Sequence, residues 1–487
     1  MVARVVGATN LTRYLGDWRA SGAGRGADPA YRLLADAVRM LINDGRIPTG
    51  VGLPSERDLS AALGVSRTTV TAAYAMLREA GYLQSRQGSR STVALPASIS
   101  SNGLMMHDSQ DSVIDLSYAA MDGQDTAVCE AYAEAVRALP SYLATHGMSP
   151  AGLSVLREAV AARYRQRGVP TAAEQIMVTS GAQQAFRLIL QLLAMPGERV
   201  LVEQPSYPNA IEAIRRSGLL AVPVPMRAGV GGWDLDALGA AARQSDARLA
   251  YLIPDFQNPT GACLGASDRH ALVELAGRTR MTLVIDETMV EMGLDHGAPE
   301  PVAAHAHGLS RAEVITVGSA SKSFWGGLRI GWIRADAGVI TRLLGARMAM
   351  DLGTAVVDQL AAAHLVSGPQ EPLDRRRDRL RARRRALLDA LGEHLPGWEC
   401  DPGPGGMSLW VRLPEPVSSK LAATAGRFGV RLAAGPRFGV EGALERFIRL
   451  PYTREESELR EAVPSIAEAY RALGADAGTE PPSALVV

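Results

Sequence analysis

Residues 318–332 read GSASKSFWGGLRIGW, and Lys322 within them is one of two lysines among the 51 Lys and Arg of the chain, the other being Lys420. A guanidinium is charged at every accessible pH, whereas a desolvated lysine amine can shed its proton and attack a carbonyl. A lysine kept where nearly every other cation is arginine therefore points to covalent chemistry with an aldehyde or ketone. Its flanks can hold an anion: Ser319 and Ser321 offer hydroxyls and Arg329 a guanidinium suited to phosphate. A second anion cradle is TSGAQQA (179–185), a strand-to-helix turn that would aim the N–H groups of Gly181, Ala182 and Gln183 at one point.

A reactive lysine beside phosphate cradles names pyridoxal 5'-phosphate, whose aldehyde forms a Schiff base with lysine and whose ring nitrogen wants a carboxylate. Asp286, ending the apolar run TLVID, is placed to supply that carboxylate. Asn258 in QNPTG (257–261) can hydrogen-bond the ring hydroxyl, and Tyr207 in PSYP (205–208) can stack on the ring. Singly, these residues have ordinary readings as a helix cap, a turn and a half-buried aromatic. Their joint occurrence in one order along the chain carries the assignment.

Such residues need elements to hold them. Apolar runs RVLVE (199–203), LAYLIP (249–254), TLVID (282–286) and VITVGS (314–319), with helix-length segments between, predict a mainly parallel α/β sheet with helices on both faces. Lys322 and Asp286 would then lie at its carboxyl edge, where open α/β sheets bind ligands. The arginine-rich run 374–391 predicts a solvated helix leading into a smaller C-terminal α+β part, with strands in MSLWVRL and RFIRLPY.

The N-terminal region reads differently. Asp28 can cap a helix from Pro29, Ser55 a second that stops at Gly64, and Ser66 a third that stops at Gly81. A hairpin about Gln87-Gly88-Ser89 follows. The helices meeting at Gly64-Val65 fit a helix-turn-helix, with Ser66-Arg67-Thr68-Thr69 opening the recognition helix and the hairpin as a wing carrying Arg86 and Arg90. Residues 28–93 hold eight Arg against six Asp and Glu, so charge alone does not decide for DNA over a protein partner.

The remaining composition is permissive. Net charge is zero over 487 residues, three cysteines show no metal spacing, and no apolar run is long enough to span a membrane or serve as a signal peptide, giving a cytoplasmic expectation. The segments expected are a lead at 1–27, a DNA-binding domain at 28–94, a linker at 95–113, a large domain at 114–365, a small C-terminal subdomain at 366–473 and a frayed tail at 474–487. A flexible linker of that length would reach roughly 24 Å.

Residues 28–93 closely resemble the winged helix-turn-helix of the GntR family, which implies contacts to double-stranded DNA from Arg57, Ser66, Arg67, Thr68, Thr69 and Gly88. From about Ser117 to Leu473 the chain resembles fold-type I aminotransferases. That resemblance implies Lys322 for the Schiff base, Asp286 for the ring nitrogen, Asn258 for the ring hydroxyl, and Arg329, Ser319, Gly181 and Ala182 for the phosphate. It also implies Tyr142 reaching a partner subunit's phosphate and Arg449 holding a substrate or effector carboxylate. The fusion is similar to the MocR/GabR regulators. It implies a head-to-tail, domain-swapped homodimer, each winged helix set against the partner's large domain. It also implies a transcription regulator rather than an enzyme, with an amine, an amino acid or pyridoxal phosphate itself as effector. The alternative is an active aminotransferase with an added DNA-binding domain. Two departures stand out: Thr288 and Met289 occupy the place of a tyrosine usual after Asp286, and Trp325-Gly326 replaces a common proline before glycine.

Overall fold

The structure is a computed structural model that describes residues 5–16, 18, 29–43, 46–47, 51–84, 91–94, 113–123, 126–227, 232–306, 312–440 and 442–475. Its N-terminal head contains α1 (Ala8–Leu15), α2 (Ala30–Asn43), α3 (Glu56–Leu63), α4 (Arg67–Glu79) and an antiparallel pair, β1 (Leu83–Gln84) with β2 (Thr92–Val93). The caps read from sequence form: Ser55 Oγ accepts from the Asp58 N–H and Ser66 Oγ from the Thr69 N–H, both at 3.1 Å. Gly64 ends α3 in the left-handed region, at φ +62°. Leu34, Val38, Leu59 and Val70 form the head's core. Leu11, Leu15 and Trp18 enter the same core, so the segment expected as a mere lead supplies a helix to the head. The Asp28 cap, the wing tip with Arg86, Gly88 and Arg90, nearly all of the linker and the chain beyond Ala475 lie outside the described residues.

After a short strand β3 (Ile114–Asp115) come β4 (Ile176–Thr179), β5 (Arg199–Gln204), β6 (Leu220–Pro225), β7 (Leu249–Leu252), β8 (Thr282–Asp286), β9 (Val314–Ser319) and β10 (Gly331–Arg334). These last seven form one sheet in the order β4-β10-β9-β8-β7-β5-β6. All neighbours are parallel except β10, which runs against both β4 and β9. Alternate strand residues face two cores: Leu201 packs toward helices Ser154–Gln166 and Ala266–Thr279, while Val200 and Val202 pack toward Ala182–Leu193 and Pro208–Arg216. Helices therefore cover both faces, as the apolar runs predict.

The C-terminal unit has a four-stranded sheet ordered β11 (Glu399–Cys400), β12 (Ser408–Arg412), β15 (Phe447–Pro451), β14 (Ala433–Ala434). β13 (Val430–Arg431) pairs in parallel with β3, and Leu116 and Met121 join the C-terminal core. Residues 114–121 thus belong physically with the C-terminal unit, not with the large sheet. The arginine-rich run lies in helix Glu371–His394 but is not simply solvated. Arg376 and Arg383 are buried; Arg376 donates to the Asp122 and Phe324 carbonyls and Arg383 to the Thr453 carbonyl, with Glu455 as its ion partner. These long cations staple the helix to both units instead of facing water.

The head touches the rest of its own chain: Arg46 donates to the Gly442 carbonyl and to Glu445, each at 2.9 Å. The resemblance sets each head against the partner's large domain; within this chain, Arg46 Nη2 reaches a carboxylate and a carbonyl of the C-terminal unit. No helix among the described residues is long and apolar enough to cross a membrane, and those residues hold no cluster of three or more His, Cys, Asp or Glu side chains placed to bind a metal ion.

Candidate cofactor site and DNA interface

β9 and β10 close a loop that holds Lys322. Ser319 pairs with Gly331 across the strands, the Ala320 N–H donates to the Ile330 carbonyl at 3.0 Å, and Ser319 Oγ donates to the same carbonyl at 3.1 Å. Inside the loop, helix Ala320–Ser323 presents Lys322, and Arg329 takes a left-handed conformation at φ +53°. The Lys322 amine donates to the Ala119 carbonyl at 2.6 Å. Burial first, then the Arg449 guanidinium, push its pKa down to about 8, against the opposing pull of Asp286. A lysine near 8 keeps a useful neutral fraction at physiological pH, which an arginine could not.

Asp286 ends β8 in a buried position. It accepts from the Tyr251 hydroxyl at 2.5 Å and from the Thr288 N–H at 2.9 Å, and burial raises its pKa against those two donors. Tyr207 caps helix Pro208–Arg216, accepts from Asn209 Nδ2 at 2.9 Å, and feels the charges of Asp286, Arg449 and Arg329. Those charges place the tyrosine among the other site residues. Asn258 precedes a cis proline, and its buried Oδ1 has no partner among the described residues. Such an amide is free for a ligand's polar edge.

The turn expected to cradle the phosphate is equally specific in its geometry. Gly181 sits at φ +85°, where a Cβ would lie 2.9 Å from Arg329 Nη2, so only glycine lets the guanidinium approach the turn. Arg329 Nη2 also donates to the Ser180 carbonyl at 3.3 Å. Ala182 opens helix Ala182–Leu193, while the Gln183 side chain is spent on the Asn209 carbonyl, leaving its N–H for an anion. The Ser321 N–H donates to Ser319 Oγ at 3.1 Å. Arg449 is buried on β15; it donates to the Ser117 carbonyl at 2.6 Å and lies 5.0 Å above the Phe438 ring. Burial and then Arg437 lower its pKa to about 10. Tyr142 stands apart from this group, on a surface loop with exposed Leu143 and Met148.

Sequence reasoning missed three contributors. Tyr251 reads as a strand residue until β7 is laid beside β8 and its hydroxyl meets Asp286. Glu203 is buried on β5 and accepts from Trp233 Nε1, the Ile253 N–H and Gln257 Nε2. Burial raises its pKa to about 7 against those donors. Gln257 Nε2 also donates to the Pro205 carbonyl at 2.8 Å, so this one side-chain amide, held by Glu203, ties the turn bearing Tyr207 to the turn bearing Asn258. Trp325, flagged as a departure, lies against Gly123, where a Cβ would sit 2.7 Å from its ring. It belongs to the lysine loop and packs that loop against Gly123.

In the head, Ser66 Oγ lies 2.7 Å from Thr68 Oγ1 and 2.8 Å from Thr69 Oγ1, a hydroxyl cluster at the N-terminus of α4. Arg67 and Arg57 are exposed, and Arg67 lies 3.8 Å from Glu56.

The profile of aminotransferase class I and II matches residues 111–466, and that of the bacterial regulatory proteins of the gntR family matches residues 30–93. The chain belongs to the class I and II aminotransferase family and carries a GntR-family head. That pairing is the MocR layout. An HTH-type transcriptional regulator of Escherichia coli (strain K12), YdcR, is 29% identical over 86% of this MocR-type chain and 94% of its own length. A 2-aminoadipate transaminase of Thermus thermophilus is 33% identical over 62% of this chain and 75% of its own. Among solved structures, LysN, an alpha-aminoadipate aminotransferase from Thermus thermophilus complexed with N-(5'-phosphopyridoxyl)-L-leucine, superposes with a TM-score of 0.69 at 27% identity, over 77% of this chain and 97% of that one. The fold is fold-type I, and its cofactor is pyridoxal 5'-phosphate. The unpartnered Asn258 amide, the glycine-only cradle at Gly181 and the depressed Lys322 amine fit that group.

Proposed function

We propose that this chain is a DNA-bound sensor whose pyridoxal phosphate, held at Lys322, reports an amine or amino-acid effector to the winged helix. When bound, the cofactor supplies an electrophilic carbon for primary amines. Lys322 offers a neutral amine to it; Asp286 holds the ring nitrogen, Asn258 the ring hydroxyl and Tyr207 the ring face. Arg329, Ser319, Ser321 and the N–H groups of Gly181, Ala182 and Gln183 hold the phosphate. Arg449, a buried cation whose Nε has no partner among the described residues, is suited to an effector carboxylate.

The observation that carries sensing over turnover is Thr288. Its N–H braces Asp286, and it cannot offer the phenol that the family places there. The phenol that does approach, Tyr251, is bonded to Asp286 itself. Catalysis loses a tuned donor while amine capture does not need it. An effector acts only if it binds two conformations unequally. Titration of the loaded protein with amines and amino acids tests the reading. A stable shift of the visible band supports a sensor. Bleaching that a keto acid reverses would instead establish transamination.

DNA binding is expected to depend on Arg67. Its removal by Arg67→Ala should weaken operator affinity by about 1–3 kcal/mol, roughly fivefold to more than a hundredfold, as measured by fluorescence anisotropy on a site selected from random DNA. The fold should survive, because the side chain is exposed.

The reading includes a homodimer. Leu143, Met148 and Met348 are 71%, 59% and 56% exposed, and the 143–153 and 347–356 segments that carry them are tied together by Arg347 Nη1 on the Pro150 carbonyl at 2.9 Å. An exposed apolar face of this kind calls for a partner, and it adjoins Tyr142. Leu143→Asp with Met348→Asp should yield monomers at micromolar concentration by light scattering, with cofactor retention weakened through loss of Tyr142 from the second subunit.

A further inference from the structure

Arg46 follows α2 in the head, and no motif pointed to it. Its neighbour Ile47 is fully buried in the head's core, so the backbone at this point is rigidly part of the head. The Arg46 side chain leaves the head and is only 15% exposed in the contact. Its Nη2 donates to the Gly442 carbonyl and to Glu445 Oε1. Gly442 has φ +69°, and a Cβ there would collide with the guanidinium, so the seat is shaped for this side chain.

Glu445 is built into the C-terminal unit from its other side. It accepts from Ser418 Oγ at 3.1 Å, the Ser419 N–H at 3.0 Å and Ser419 Oγ at 2.7 Å. Ser418 Oγ in turn accepts from the Gly435 N–H at 3.3 Å. Gly435 opens the turn Gly435–Phe438, which carries the Phe438 ring beneath Arg449. The Phe438 carbonyl accepts from the Ser206 N–H at 2.9 Å, beside Tyr207. The strand β15 that bears Arg449 starts two residues after Glu445. Two short routes therefore run from the head's arginine to the groups that face the cofactor and the effector.

We infer that the Gly442–Glu445 turn seats the DNA-reading head and that the Arg46–Glu445 pair is the joint by which occupancy of the Lys322 pocket reaches the winged helix. The inference rests on the sensor reading above. An ordinary exposed ion pair would contribute little and couple nothing. This pair is mostly withdrawn from water, and its carboxylate is already fixed by three donors. Loss of Arg46 leaves those three donors in place, so a variant there does not strand a buried charge and should fold.

The test uses the full-length dimer and pyridoxal phosphate as the probe. Hydrogen–deuterium exchange of the amides in α2, α3 and α4 is compared with and without the cofactor, alongside the visible band. In the wild type, cofactor addition should change exchange of these amides several-fold. Arg46→Glu and Glu445→Arg should each keep the band and lose that change, and the double exchange of charges should restore it. If either single variant keeps the wild-type change, or the double variant keeps its band without restoring it, the joint is wrong. If the wild type shows the band but no change in the head, the joint falls while the pocket reading stands. If no band forms, the sensor reading falls and the joint with it.

Discussion

Lys322→Ala protein, mixed with pyridoxal phosphate and desalted, should show no lysine-bound visible band, whereas the wild type retains it. The expected loss is complete, because Lys420 is the only other lysine and lies on a different helix, Ser418–Ala425. The pH dependence follows from the environment of the amine. Attack requires the neutral form, and burial with Arg449 sets its pKa at about 8. Below that value each pH unit removes about nine-tenths of the neutral amine, so the rate of cofactor capture should rise about tenfold per unit up to pH 8 and then level off. Arg449→Gln removes the second of the two causes that depress the amine. Its levelling point should move to higher pH. Stopped-flow absorbance over pH 6–10 measures both; a wild-type rate flat across that range would contradict the assigned burial and charge.

The largest stability effect is expected at Arg269, far less conspicuous in the sequence. It is 1% exposed, and its partner Asp255 is fully buried. The guanidinium donates to Asp255 Oδ1 at 2.6 Å, to the Leu264 carbonyl at 2.9 Å and to the Glu300 carbonyl at 3.1 Å. Arg269→Ala leaves a buried carboxylate and two carbonyls without their donor. Breaking a buried pair from one side costs about 3–5 kcal/mol. Urea unfolding followed by tryptophan fluorescence should show that loss. Arg269→Met with Asp255→Asn should recover much of it, because the stranded charge is gone. Asp255 stands three residues before Asn258, so weaker cofactor retention should accompany the single substitution.

The parts of this fold that a reader can take from the sequence are those whose cause is local. Ser55 and Ser66 announce caps because the hydroxyl bonds an N–H three residues on, and the runs ending at Asp286 and Ser319 announce buried strands by composition. β10 does not announce its reversal, since the direction of a strand is set by its neighbours β4 and β9. Tyr251 and Glu203 were hidden for the same reason: each acts on a residue 35 to 54 positions away, across strand pairings that no period reveals. Arg376 and Arg383 misled in the opposite direction. An arginine run has the composition of a wet surface, and only the packed structure shows which guanidiniums turn inward to backbone carbonyls. Lys322, Asp286, Asn258 and Arg329 stand out as candidates in the sequence because their chemistry is uncommon against this background.

The loop from Ala320 to Ile330 behaves as a sealed cassette. Its two ends are fastened to each other by β9 and β10, and Gly331 at the seal leaves no room for a Cβ, which would lie 2.6 Å from the Gly181 carbonyl carbon and 2.7 Å from the Ala182 nitrogen. The lysine proposed for the cofactor's aldehyde and the arginine proposed for its phosphate thus form one mechanical piece, clamped against the turn of Gly181 and Ala182. Loosening one would disturb the other, whereas Thr288, which follows the end of another strand, lies outside the seal.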